Sequence, residues 1–129
     1  IVRFGIRTLL SQSANMEVVS EAEDADSAIR IFEESRPDIA LIDISLKGNG
    51  LELTKSLIAV DPKVRVVILS MHDELIYADR ALKAGARGYL MKRDATRLLL
   101  HALEVVARGD IYLSEQMTKV MLNKMAHHG

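Results

Sequence analysis

The chain contains no cysteine. Disulfides and thiolate metal sites are thereby excluded, and the composition fits a reducing compartment. No apolar run approaches the ~20 residues that a membrane-spanning helix requires, and no signal peptide is visible. An excess of either charge is also missing. The formal net charge is −1, which gives no general pull toward nucleic acid or an anionic membrane. The basic residues are scattered and leave no nucleic-acid footprint. There is no good glycine-rich phosphate loop either, since SLKGNG after residue 44 is a poor one, which argues against a small nucleotide-binding or hydrolytic enzyme. These absences leave a soluble, cytoplasmic protein with no membrane partner as the expectation.

What is present is enough for one domain. The 129 residues are 49% apolar and 27% charged, the balance of a globular chain long enough to bury a core. Helical and extended patterns alternate. Residues 1–13 read as a helix already under way at Ile1, and 16–20 as a strand. Helix 26–35 carries Ala28, Ile31 and Phe32 on one stripe, with Arg30, Glu33 and Glu34 facing out. Strand 38–43 follows, then helix 50–60 with Leu53, Leu57 and Val60 at helical spacing. Strand 64–69 is rich in β-branched residues. Helix 74–84 is rich in alanine and only faintly amphipathic, the character expected of a mobile element. Strand 87–91 leads to helix 95–108, where Leu99, Ala102, Leu103 and Val106 oppose Arg97, His101, Glu104 and Arg108. A last helix is expected over about 114–125.

Pro37, Pro62, Gly85 and Gly109 each follow a helix, 25, 23 and 24 residues apart. Both residue types stop helices. A strand-plus-helix unit of that length is the βα repeat of a doubly wound parallel sheet. Such a chain should open with a strand, yet this one opens with a helix, so four strands are read where the pattern wants five.

In open parallel sheets, sites form at the carboxyl ends of the strands. Asp43, Ser70 and Lys92 stand at three such ends. A carboxylate beside a hydroxyl and an amine suits phosphoryl chemistry. The carboxylate attacks phosphorus, the lysine neutralises oxygen charge, the hydroxyl donates a hydrogen bond, and Mg²⁺ offsets the remaining charge. Read singly, each residue has a plainer role open to it. Asp43 can be a loop acid that caps the next helix, Ser70 a helix cap and Lys92 a solvated lysine.

In order and on this scaffold, Asp43 after ALI, Ser70 after VVIL and Lys92 in GYLMK resemble the receiver domains of bacterial two-component response regulators. The segments DISL, LSMHDE, ALKAGARGYLMK and GDIYLS are most similar to the NarL/FixJ subfamily of the CheY-like superfamily. The likeness covers residues 1 to about 113. It implies a flavodoxin-like fold with strand order 2-1-3-4-5. It also implies a signalling module rather than a conventional enzyme. Asp43 matches the phosphoacceptor, which takes its phosphoryl group from a sensor histidine kinase, and Lys92 matches the lysine that contacts that group. Ser70 matches the Ser/Thr that moves toward the phosphoryl oxygen. Tyr89 matches the aromatic residue that swings inward behind it. Ser45 matches the residue whose backbone carbonyl helps Asp43 to bind Mg²⁺.

The family opens with an apolar strand ending in an acidic pair that holds Mg²⁺. The likeness starts after it, so the first strand and both acids are expected to be absent from this chain. Lys47 stands where many relatives have proline, in a loop about one residue short. Residues 1–113 are read as the receiver, and 114–129 as a linker helix and tail with no output domain. The tail ends His127-His128-Gly129, and no function is assigned to its histidines. DNA binding would then belong to an output domain outside this chain, and homodimerisation to the receiver's helices. The expected switch surface is helix 74–84, strand 87–91 and helix 95–108. Met71 is read as loop packing that could also shield an acyl phosphate, and His72 and His101 as exposed. The alternative from another class is a phosphorylation-independent interaction module.

Overall fold

A computed structural model describes residues 25–43, 50–71 and 75–128. Among these residues three strands form a parallel sheet: β1 (Ile39–Asp43), β2 (Arg65–Ser70) and β3 (Gly88–Met91), in the spatial order β1-β2-β3. Five helices accompany them: α1 (Ala25–Ser35), α2 (Gly50–Val60), α3 (Leu75–Lys83), α4 (Ala95–Ala107) and α5 (Glu115–His128). A 3-10 turn, Lys92–Asp94, joins β3 to α4. The helix expected over 1–13 and the strand expected over 16–20 lie outside the described residues. Every other expected element is present, with ends that differ by no more than three residues.

The helix stops are built as their residue types require. Gly85 takes a φ of 110° and Gly109 a φ of 97°, the left-handed region open to glycine. After α3, the N–H of Ala86 donates to the carbonyl of Ala81 at 3.0 Å and that of Gly85 to Leu82 at 3.0 Å. After α4, Asp110 donates to Val105 at 3.2 Å and Gly109 to Val106 at 3.0 Å. Both are Schellman closures, which satisfy the last free carbonyls of a helix. Helix α1 ends at Arg36, a non-glycine residue with a φ of 47° whose N–H donates to the Phe32 carbonyl at 2.8 Å. Pro37 then prevents continuation. Helix α5 is opened by Ser114, whose Oγ accepts from the N–H of Met117 at 3.1 Å.

The sheet is covered on both faces, as a parallel sheet must be. Ile42, Val66, Ile68, Tyr89 and Met91 pack on one side with Phe32, Leu53, Leu57, Ala78 and Ala81 from α1, α2 and α3. Val67, Leu69 and Leu90 pack on the other with Leu99, Ala102, Leu103 and Val106 of α4. Strand β2 lies between β1 and β3, so Val66 to Leu69 are all buried. Helix α3 has a cleaner inner face than its sequence suggested. Ala78 and Ala81 are fully buried there, and these small side chains allow close approach to the sheet while contributing little to a hydropathy pattern.

Helix α5 docks on the rest of the described structure. Met117 is buried in the same cluster as Tyr89, and Met121 packs against it. Lys124 Nζ lies 3.9 Å from Asp79 Oδ2 on α3, and that carboxylate also pairs with Lys83 at 3.0 Å. The segment before α5 pairs with the outer edge of β3. Tyr89 donates its N–H to the Tyr112 carbonyl at 3.1 Å, and Tyr112 donates to Arg87 at 2.9 Å. Those bonds occupy backbone groups of an edge that would otherwise invite pairing with another chain.

Candidate functional site

The strand register sets the site. Asp43 is the last residue of β1 and is level with Leu69, while Ser70, the last of β2, is level with Met91. Lys92 follows directly. The carboxyl ends of the three strands thus stand side by side, with neighbouring strands about 4.8 Å apart.

Lys92 Nζ lies 2.6 Å from Asp43 Oδ2. The two groups stand at the ends of β1 and β3, on either side of β2, and the lysine stem crosses the end of β2 to reach the carboxylate. The side chains are 18% and 30% exposed, respectively. Water therefore reaches the pair, but the environment is drier than the open surface. A charge-assisted contact at this length is a strong one.

Ser70 is fully buried. Side chains alternate along a strand, and Val66 and Ile68 face the cluster formed with α1, α2 and α3. Ser70 continues that face. No buried side-chain nitrogen or oxygen among the described residues lacks a hydrogen-bond partner. Tyr89 is level with Ile68 on the next strand and is 1% exposed, so its ring and hydroxyl are both inside. Ser70 and Tyr89 therefore lie on one face of adjacent strands, and Tyr89 shares its cluster with Ala78 and Ala81 of α3 and Met117 of α5.

Met71, immediately after Ser70, is 73% exposed. The loop packing expected for it is not formed, and its side chain stands in solvent next to the strand ends. His72 lies outside the described residues. His101 is exposed as expected, and its ring meets that of Tyr112 edge-on with centroids 5.8 Å apart. Burial is the main cause that raises the Tyr112 pKa above the usual 10.0, with the Asp94 carboxylate adding to it. That contact could not be read from sequence, because it depends on residues 110–113 lying along β3.

A hard cation needs several oxygen ligands. Asp43 offers one carboxylate of the right kind, already paired with Lys92. No group of three or more metal-ligating side chains occurs among the described residues, and Ser45 lies outside them. Among the described residues Asp43 thus offers a carboxylate, and no cluster of metal-ligating side chains surrounds it. No helix among them is long and apolar enough to cross a membrane.

Comparison with known proteins agrees with this architecture. The family model for the response regulator receiver domain matches residues 1–104. The transcriptional regulatory protein DegU of Brevibacillus brevis is 37% identical over 125 residues, which cover 96% of this chain and 53% of that regulator. The chain thus spans about half the length of that curated relative. A two-component response regulator of the LuxR family from Aurantimonas sp. SI85-9A1 superposes with a TM-score of 0.88 at 32% identity, covering 97% of this chain and 90% of that one. The signal receiver domain of the putative response regulator NarL from Mycobacterium tuberculosis superposes with a TM-score of 0.78 at 31% identity, covering 84% and 88%. Such domains are signalling modules rather than conventional enzymes. The parallel sheet clothed by helices, the rim of acid, hydroxyl and lysine, and these matches together mean that the chain belongs to the response regulator receiver domains, and within them to the NarL/FixJ-like group.

Proposed function

We propose that Asp43 accepts a phosphoryl group from a phosphohistidine on a sensor kinase. The observation that carries this reading is the Asp43–Lys92 ion pair at the strand ends. An Asp43 carboxylate oxygen attacks phosphorus, the bond from phosphorus to the imidazole nitrogen breaks, and an acyl phosphate forms. Lys92 moves its charge from the carboxylate to the phosphoryl oxygens, and Ser70 donates its hydroxyl to another of them. Asp43 and the Ser45 carbonyl would hold Mg²⁺, which would supply further charge neutralisation for the phosphoryl oxygens.

The added charge draws Ser70 outward. Tyr89 shares a buried cluster with α3 and α5, so a shift of Ser70 changes the packing under both helices and biases their populations. In the parent protein this surface would control dimerisation through the receiver helices or release a DNA-binding output domain. Residues 114–129 would then connect the receiver to that domain. The transcriptional role of relatives such as DegU supports that reading.

The test is intact-mass measurement after incubation with acetyl phosphate and Mg²⁺. It is made on this chain, on a version extended upstream by an acid-bearing strand of the family's kind, and on Asp43→Asn in each. A single phosphoryl adduct that disappears in Asp43→Asn is the expected result. Folded protein with no adduct in either version would replace this reading with a phosphorylation-independent interaction module.

A further inference from the structure

At the end of the sheet opposite Asp43 lies a cleft of about 660 Å³. That is within the size range of small-molecule sites. Its floor is apolar, formed by Ile58 at the end of α2, Leu82 at the end of α3, Val64, Ala86 and Ile111. Its charged lining is of one sign. Lys63, Arg65 and Arg87 line it, and no carboxylate does among the described residues, in a chain whose net charge is −1.

The three cations are scattered in sequence, and the fold gathers them. Arg65 starts β2, Arg87 directly precedes β3, and parallel strands bring their amino ends together. Lys63 is set by the turn after α2, where its N–H donates to Asp61 Oδ1 at 3.0 Å. None of the three is in an ion pair among the described residues. Most described surface lysines differ in this: Lys55, Lys83, Lys119 and Lys124 all meet carboxylates. Arg65 is also held in place. Its Nη1 donates to the Ala107 carbonyl at 2.6 Å, at the negative end of α4. A guanidinium fixed through one nitrogen presents its remaining donors without further ordering cost.

Like charges gathered beside apolar side chains, with no carboxylate among the described lining residues, make a site for an anion. We infer that this cleft binds a small organic oxyanion, with its phosphate or carboxylate groups on Lys63, Arg65 and Arg87 and its carbon skeleton on Ile58, Leu82 and Ile111. Both oxyanion types suit the guanidinium fork. The site is separate from the Asp43 rim, and the inference does not depend on phosphorylation.

The test is calorimetric titration without Mg²⁺. Pyrophosphate, citrate and adenosine diphosphate serve as probes on this chain, on the double variant Lys63→Gln/Arg87→Gln, and on Lys92→Gln. Saturable binding of pyrophosphate or citrate is expected, and which of the two binds tighter identifies the anion type. Adenosine diphosphate should bind more tightly than pyrophosphate through the floor. Binding should weaken about tenfold or more for each cation removed and be unchanged in Lys92→Gln. Chemical-shift mapping on the unaltered chain should move the amides of Gly85, Ala86, Arg87 and Gly109, which keeps the test decisive if the double variant unfolds. No saturable binding, binding lost in Lys92→Gln, or shifts confined to the Asp43 end would overturn the proposal. Equal affinity for pyrophosphate and adenosine diphosphate would remove the role of the floor.

Discussion

The ion pair between Lys92 and Asp43 should be measurable as a coupling energy. At 2.6 Å the gross attraction in a partly buried setting is about 6 kcal/mol, with an effective dielectric constant of about 20. Desolvation of both groups offsets most of that. The net value of a hydrogen bond between charged groups is about 1.5–3 kcal/mol. The side chains are 18% and 30% exposed, so water screens the pair and the lower part of that range, about 1.5–2 kcal/mol, is expected. The perturbation is a double-mutant cycle with Asp43→Asn, Lys92→Met and the two combined. Methionine keeps most of the apolar stem of lysine, so the cycle isolates the charge contact. Urea unfolding at neutral pH gives the four stabilities. Either single change should cost more than its share of the double change, because each leaves a partly buried charge without its partner. A coupling below about 0.5 kcal/mol, the scatter for non-interacting sites, would refute the reasoning. It would mean that Lys92 does not spend its time on Asp43 in the unphosphorylated protein.

Other outcomes follow from single residues. Gly85→Ala and Gly109→Ala should each cost about 1–2 kcal/mol in urea unfolding, because both positions have a left-handed φ. Gly85→Ala should cost only slightly more, since the added carbon meets Ile58 Cδ1, a terminal methyl that can rotate away; a neutral result at both would contradict the helix-stop geometry. Asp79 is held below the usual 3.8 by its hydrogen bond with Lys83, opposed by partial desolvation and reinforced by Lys124. Between the folded and unfolded pKa values the unfolded chain binds more protons, so this contribution is complete above 3.8 and is lost as pH falls through the lowered value. Asp79→Asn should therefore flatten the acid limb of a stability-versus-pH curve, and an unchanged limb would count against the pairing of Asp79 with Lys83. Met71→Ala should alter stability by no more than about 0.5 kcal/mol, because the side chain is exposed. If Met71 shields an acyl phosphate, the same change shortens the adduct lifetime followed by mass spectrometry, and an unchanged lifetime removes that role.

Much of this protein follows from its sequence. The βα repeat is legible because Pro37, Pro62, Gly85 and Gly109 have only a few backbone options, and because Val66 to Leu69 make an apolar run that only a doubly covered strand can bury. The residue types at the strand ends were legible for the same reason. A strand's carboxyl end follows from where its run stops, so Asp43, Ser70 and Lys92 could be assigned to one rim before any contact was known. Helix α3 was harder to read, because Ala78 and Ala81 form a buried face with little hydropathy contrast.

Tertiary structure alone decided the rest. That Lys92 crosses β2 to reach Asp43 depends on the order of the strands, which no local pattern encodes. The inward position of Tyr89 depends on a core it shares with Ala78 and Ala81 of α3. The docking of α5 through Met117 depends on a core assembled from segments far apart in the chain. The grouping of Lys63, Arg65 and Arg87 depends on parallel pairing, which brings the amino ends of strands together. In each case the local chain sets which residue stands at an element's end or face. Packing between distant segments sets what that residue meets, and meeting is what creates the charge pair, the buried tyrosine and the cationic cleft.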